Sequence, residues 1–372
     1  MKALFWSSWV VILFAYAGYP ILLYLRAQFW SIPVRRASIF PQVTILLAAY
    51  NEERNLPDKL ANLAALDYPA DLLDVIVVSD GSGDGTNKIL DAWEGPSRRS
   101  FKLPIRRGKA AALNVGAAEA KGEIIVFTDA RQAIASDALK IIVENFADPC
   151  VGCVSGELML RESPAARSAE GLGLYWRVEK NIRYWEGLVG STVGATGALY
   201  AVRHKLFLPI PQDLILDDVY VPLQVVRQGQ RVVFEPRALA WDDFMPSAKQ
   251  EFRRKLRTLT GNYQLLQLAP WILTTSNPLL LQFVCHKMLR LLVPFALLCL
   301  LGSAFWLREG VYGLVLALQL FFYALAGLGI FQLQLGILSR LSSISLAFTL
   351  LNTAAGLAFV YFITGRKAIW AR

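Results

Sequence analysis

Residues Ala3 to Tyr24 carry no Asp, Glu, Lys or Arg. That is roughly the 20 apolar residues a helix needs to cross a bilayer. In lipid the backbone must satisfy its own hydrogen bonds, so this stretch is constrained to be helical. Its start lacks a strong basic region and no small-residue cleavage site follows, so it reads as a retained anchor rather than a signal peptide. Three more candidate spans stand near the C-terminus, at about Leu289 to Leu307, Val311 to Phe331 and Ile344 to Thr364. Before them, Leu279 to Arg290 is apolar but interrupted by His286, Lys287 and Arg290, the pattern of an amphipathic helix at the interface. The chain therefore divides into an anchor (1–26), a polar block (27–268), an interfacial segment (269–290) and C-terminal spans with a short basic tail (291–372). The hydropathy excess, +0.40 on average, comes from these apolar segments.

Arg26, Arg35 and Arg36 closely follow the first span, which places the polar block in the cytoplasm by the positive-inside rule. One span before the block and three after it would put the tail outside, yet that tail carries Arg366, Lys367 and Arg372. Either one C-terminal segment does not fully cross or the tail breaks the rule. The net charge of +9 has bland sources in membrane flanks and general solvation, and part of it can serve phosphates or lipid headgroups. No basic run interleaved with aromatics marks a nucleic-acid surface. The spans carry almost no charge of the kind that marks a transport path. Cys150 and Cys153 form a CxxC without a second pair, so they read as packing thiols.

Within the block, Val43 to Ala48, Leu73 to Ser79 and Ile124 to Phe127 are apolar runs of strand length, separated by segments of helical length. Alternation of this kind gives a parallel α/β sheet, here from Val43 to about Ser155. Helices are expected from Glu52 to about Leu66, from Asn87 to Trp93 and through the Ala-rich stretch 108–122. A further strand is expected near Ser100 to Leu103. The three strong strands end in polar clusters: Tyr50 and Glu52, Asp80, and Thr128-Asp129. Open sheets bind ligands outside the carboxyl ends of their strands. One loop acid is usually a cap or turn former. Three in register point to a site, with Asp129 placed to hold a metal ion against a phosphorylated substrate.

The second half changes character. Val151 to Leu160 reads as a strand pair around Gly156. Arg167 to Trp185 is amphipathic, and its Tyr175, Trp176, Tyr184 and Trp185 are read as core. The small-residue run 190–198 is either a tight turn or a place where a ligand approaches the backbone. Asp217 and Asp218 stand at the start of a helix, where one acid can cap and the other is left for chemistry. Arg231 to Pro236 is a strand. In the helix from Lys249 to about Gln267, Lys249, Arg253 and Arg257 share a face, solvated or turned toward phosphate.

Seven motifs, VTILLAAYNEE, VIVVSDGSGDGT, GKAAALNVG, IIVFTDAR, GATGALYAVR, LDDVYVPLQV and RRKLRTLTGN, occur in this order over about Val43 to Gln264. Together they resemble the membrane-attached branch of the family 2 glycosyltransferases. The resemblance implies an α/β fold of GT-A type, a Rossmann-like mixed sheet flanked by transmembrane helices. It implies a nucleotide-sugar donor, Mg2+ or Mn2+, and inverting displacement at the anomeric carbon. Carried over by position, it puts Tyr50 and Glu52 at the nucleoside, Asp80 at the base or ribose, and Lys109 and Asn114 at the nucleotide end. Asp129 becomes the metal ligand and Asp218 the general base, with Arg254 and Arg257 at the pyrophosphate.

Three positions depart from the family pattern: Ser79 for an Asp, Arg131 for the second acid of Asp-x-Asp, and Thr258 for a tryptophan of the polymerising branch. Arg131 implies weaker dependence on metal, through a direct cationic contact to diphosphate. Thr258, with few spans to line a polymer channel, favours single-sugar addition. The expected function is transfer of one sugar to a lipid-linked or saccharide acceptor at a bacterial-type inner membrane, in polysaccharide or glycolipid synthesis. The alternatives are a processive polysaccharide synthase and a non-catalytic membrane scaffold. Donor sugar, nucleoside and acceptor are not fixed by any motif.

Overall fold

The computed structural model describes residues 1–93, 95–161, 170–242, 248–330 and 337–365. Arg366, Lys367 and Arg372 of the basic tail lie outside them, as does the side chain of Lys249. The chain begins with one helix, α1 (Lys2–Phe29). The block then alternates β1 (Val43–Ala49), α2 (Leu56–Ala64), β2 (Leu73–Asp80), α3 (Thr86–Trp93), β3 (Arg98–Leu103), α4 (Lys109–Ala118) and β4 (Ile124–Thr128). After it come β5 (Ala133–Ile134), α5 (Ala138–Glu144), β6 (Val151–Leu160), α6 (Glu170–Val189), β7 (Leu199–Arg203), α7 (Asp217–Arg227), β8 (Arg231–Asp242) and α8 (Ala248–Leu268).

The eight strands form one sheet in the order β3-β2-β1-β4-β7-β6-β8-β5. β1 runs parallel to both β2 and β4, and β2 parallel to β3, as the βα alternation requires. The parallel part ends at β4, which pairs antiparallel with β7, and β6 joins only beyond that strand. The sheet is therefore mixed rather than parallel up to Ser155. Ile45, Leu47, Ile124, Val126 and Leu199 are buried in the layer beneath α2 and α5, and Leu46, Ile76, Ile125, Phe127 and Tyr200 in the layer beneath α4 and α7. Strands covered on both faces give the unbroken apolar runs seen in the sequence.

Two local expectations change. The segment around Gly156 is one strand, not a pair; its register with β8 slips between Ser155 and Glu157. A side chain at Gly156 would come 2.7 Å from the Ala238 carbonyl oxygen, so the close approach, not a turn, accounts for this glycine. The helix after β1 starts at Leu56 rather than Glu52. Asn51 takes φ +54°, and the Glu52 carbonyl accepts from the Asn55 and Leu56 amides, so residues 50–55 form a turn. That turn is knitted to the loop after β2: the Asn51 amide donates to Ser82 Oγ, the Gly83 amide to Asn51 Oδ1, and the Gly85 amide to Glu53 Oε2.

Beyond the block, α9 (Leu280–Leu307), α10 (Gly310–Ile330) and α11 (Ile337–Ile363) complete the chain. Among the described residues four helices are long and apolar enough to cross a membrane: α1, α9, α10 and all but the first residue of α11. The segment expected to lie separately at the interface is instead the first turns of α9. Its charges do not face outward: His286 is 1% exposed and Arg290 pairs with Glu179 of α6. Of the aromatic residues of α6 read as core, Trp185 packs on a buried cluster with Tyr19 and Leu23 of α1, Tyr175 and Trp176 are half-buried, and Tyr184 is exposed. Tyr175 and Trp176 sit under the Lys255 ammonium, and Trp185 lies edge-on to Tyr24 of α1.

Candidate active site

The carboxyl ends of β1, β2 and β4 open onto one cavity of about 1050 Å³. Tyr50, Glu52, Asp80, Lys109, Asp129, Asp217, Asp218 and Arg257 line it. At one end the Arg106 guanidinium lies 4.0 Å from the centre of the Tyr50 ring. Glu52 accepts from Asn55 Nδ2 at 2.7 Å and donates its amide to Thr86 Oγ1. Asp80 is 3% exposed, and both its oxygens are engaged: Oδ1 accepts from the Arg107 amide at 2.7 Å and Oδ2 from the Gly108 amide at 2.8 Å. These two bonds tie it to the loop that leads into α4, where it fixes the approach to Lys109, and it also lines the cavity.

Lys109 stands in the middle. Its Nζ is 3.0 Å from Asp129 Oδ1 and 3.4 Å from Asp217 Oδ1. Burial works against its charge, but Asp129 and Asp217 outweigh burial and raise its pKa. The two acids at the start of α7 are thereby told apart. Asp217 is buried against Lys109 and the Tyr200 hydroxyl. Asp218 is half-buried and lines the cavity. Neither caps the helix, whose N-cap is Leu216. Burial and the neighbouring Asp217 charge raise the Asp218 pKa to about 6, against the pull of Lys109 and Arg183.

The small-residue run 190–198 turns out to be packed on this acid. A side chain at Gly194 would meet the Asp218 carbonyl oxygen at 3.3 Å, and one at Gly197 would meet Asp218 Oδ2 at 3.4 Å. The Ala195 amide donates to the Asp218 carbonyl at 2.7 Å.

Three residues expected at the nucleotide or diphosphate have protein partners. Asn114 clasps the Ile210 backbone with both amide atoms, at 2.8 Å each, and is not in the cavity wall. It holds the segment before α7 instead. Arg254 points at the Trp176 ring, 5.3 Å from its centre, so of the two arginines only Arg257 lines the cavity. Arg131 lines the cavity but donates to the buried Asp242 carboxylate at 2.6 Å, which ties the loop after β4 to the end of β8. The cation at Asp129 is Lys109.

Sequence reasoning missed Lys59. Its side chain is 2% exposed on α2, and Nζ donates to Thr128 Oγ1 at 2.8 Å and to the Gln132 carbonyl at 2.7 Å. It braces the loop that carries Asp129 from below. Burial lowers its pKa to about 7, partly countered by Asp129. A lysine on a helix with apolar neighbours at Leu56, Leu60 and Leu63 carries only one signal: it falls on the buried face.

Residues 44–207 match the sequence model of Glycosyl transferase family 2. The chain carries a family 2 glycosyltransferase domain. Poly-beta-1,6-N-acetyl-D-glucosamine synthases of Staphylococcus epidermidis and of Staphylococcus aureus strain COL are both 27% identical to it, over 231 and 229 residues, or 60% of this chain. The match spans 55% of their length, so the chain covers about half of these curated relatives. A mannosyltransferase of Pyrobaculum calidifontis, solved with GDP-Man and Mn2+, superposes with a TM-score of 0.73 at 25% identity, over 96% of this chain and 99% of that one. The glycosyltransferase domain accordingly has the GT-A fold, and the cavity lies at the carboxyl edge of its parallel strands.

A divalent ion is the group such a fold implies. Among the described residues no set of three or more His, Cys, Asp or Glu could hold one. At the end of β4 the cavity offers the partly exposed carboxylate of Asp129, with Lys109 against it. That fits an ion of Mg2+ or Mn2+ type only if a ligand's phosphate oxygens complete the shell, the usual way Mg2+ is held at phosphate sites.

Proposed function

We propose that this chain is an inverting glycosyltransferase that moves a sugar from a nucleoside-diphosphate sugar to a membrane-associated acceptor in polysaccharide or glycolipid synthesis. One observation carries this reading: a half-buried carboxylate with a raised pKa, Asp218, shares a cavity with the cation–carboxylate cluster of Lys109, Asp129 and Asp217. An acid poised near neutral pH is suited to take a proton from a hydroxyl. Fixed positive charge a short distance away is suited to a departing diphosphate.

In this reading the nucleoside lies toward Tyr50 and Glu52, and the diphosphate toward Lys109 and Arg257. Asp129 and the diphosphate oxygens would hold Mg2+ or Mn2+, which would offset the charge of the leaving group. The acceptor hydroxyl attacks the anomeric carbon on the face opposite the diphosphate. Its oxygen forms the new bond, the bond to the diphosphate oxygen breaks with its electron pair, and Asp218 takes the hydroxyl proton. The acceptor is read as lipid-linked because the cavity wall runs from these charges to Leu268, Tyr361 and Phe362 at the ends of α8 and α11. The catalytic block is placed on the cytoplasmic side of an inner membrane, on the strength of Arg26, Arg35 and Arg36.

The test is transfer of radiolabelled sugar from a panel of nucleotide-sugars by membranes containing the full chain. Transfer abolished by Asp218→Asn supports the reading, and transfer at the wild-type rate by that variant overturns the base. The polysaccharide synthases among the relatives favour a second reading, repeated addition. Product length separates the two, one sugar or a ladder. A scaffold without catalysis would bind neither UDP nor GDP in calorimetry.

A further inference from the structure

Where α6 meets the apolar helices lies a cluster of ionisable groups outside the cavity lining. Glu179 and Glu186 of α6 are 5% and 0% exposed, and His286 of α9 is 1% exposed. Ionisable groups in apolar helices are costly and mark function more often than packing. His286 Nδ1 is 2.9 Å from Glu186 Oε1, and Nε2 is 3.1 Å from Glu179 Oε1.

Both carboxylates already accept from other donors. Glu179 receives Arg290 at 2.5 Å, with Arg183 at 3.5 Å and Lys287 at 3.7 Å. Glu186 receives the Tyr19 hydroxyl at 2.7 Å, the Thr192 hydroxyl at 3.2 Å and the Val193 amide at 3.3 Å. Burial opposes ionisation of each acid, but His286 and its cationic neighbours hold Glu179 well below the usual carboxylate range, and His286 with these hydrogen bonds lowers Glu186. The ring thus bridges the two carboxylates through its two nitrogens.

Glu186 also leads to the catalytic acid. Its partners Thr192 and Val193 open the turn 190–198, and that turn rests on Asp218 through the Ala195 amide and Gly197. Arg183, which sits against Glu179, donates to Thr196 Oγ1 of the same turn at 2.9 Å.

We propose that His286 is a positioning residue for Asp218: clamped between Glu179 and Glu186, it fixes the 190–198 turn and so couples the seating of α1 and α9 to the aim of the base. This rests on the transfer reading above. The coupling is energetic, so its proof is a paired change at both ends rather than nearness.

The experiment uses the full chain in lipid nanodiscs, with His286→Gln and the milder Thr192→Val, which removes one bond to Glu186 at constant volume. Three quantities are read: kcat for sugar transfer against pH, calorimetric binding of UDP and GDP, and hydrogen exchange of residues 190–198. In His286→Gln, kcat falls about 10- to 100-fold, the range for a slight misplacement of a reacting group. The acid limb of the profile moves below its wild-type position as Asp218 gains water, diphosphate binding stays within about twofold, and exchange rises in 190–198 but not in β1 and β2. Thr192→Val shifts the same quantities less and serves if the first variant does not fold. Unchanged exchange and an unchanged acid limb in both variants overturn the proposal, as does a loss of diphosphate binding equal to the loss in kcat. If the wild type transfers no sugar, the functional reading falls, and exchange alone still decides the coupling.

Discussion

Lys109 Nζ lies 3.0 Å from Asp129 Oδ1, on the carboxylate that family resemblance assigns to a metal ion. A cation and a metal compete for one acid. Donor-free protein should therefore show no calorimetric Mn2+ binding at concentrations where the diphosphate-bound form binds it. Chelation should leave measurable transfer, since Lys109 still faces the diphosphate. Complete loss on chelation, with tight Mn2+ binding before donor, would count against Lys109 as the resident cation. Lys109→Met should raise the donor KM and bring Mn2+ binding forward into the free state.

Asp218→Asn should cut kcat by ~10²–10⁴-fold, the usual contribution of a general base, with little change in nucleoside-diphosphate affinity. Because the base works deprotonated, wild-type kcat should decline below about pH 6, the value to which burial and Asp217 raise this acid. Stability has the opposite sign. A folded-state pKa above the unfolded one contributes stability that is complete below the unfolded value and is lost as pH rises through the folded one. Asn at this position should then raise the melting temperature near pH 7.5, by about 1–2 kcal/mol equivalent, and leave it unchanged near pH 4. A lower melting temperature at pH 7.5 would speak against a strained acid.

Lys59 gives a contrasting window. Its pKa is lowered by burial to about 7, so the unfolded chain binds more protons between there and the ordinary lysine value. Stability should rise with pH across that interval. Lys59→Met should flatten the rise and, by freeing Thr128 and Gln132, loosen the Asp129 loop, seen as a higher donor KM with a smaller effect on kcat. Melting curves at pH 7 and pH 9 in detergent would show the first effect, and steady-state kinetics the second.

Asn114→Ala should act through structure alone. Removing the clasp on Ile210 strands a half-buried backbone amide and carbonyl, at a cost of about 1–3 kcal/mol. Donor KM should stay near wild type in the fraction that remains folded. A selective loss of donor affinity at full stability would return Asn114 to the nucleotide site.

The parallel half of the fold was legible because strands buried on both faces leave apolar runs, and because turn residues separate them at α/β spacing. Asp129 and Asp218 were legible by position. Their partners were not, since whether Lys109 faces an acid or a solvent shell, and whether Asn114 grips a ligand or Ile210, depends on chain segments that lie 20 residues away for Asp129 and 96 for Ile210. The packing of 279–290 was hidden for a related reason. Sequence shows that His286 and Arg290 are charged, but not that Glu179 and Glu186 on another helix satisfy them. Lys59 was invisible because a charged residue on a buried face looks like noise until the oxygens that receive it are located.

Gly365, two residues past the end of α11, lines the same cavity as Asp218. The end of α11 thus opens onto the cavity that Asp218 lines. If α11 crossed away from the catalytic block, that could not be so. The expectation to test is an odd number of crossings, with the amino terminus on the far face. An impermeant thiol reagent should then label a cysteine placed at Gly365 from the side that admits nucleotide-sugar, and a cysteine at Met1 from the other.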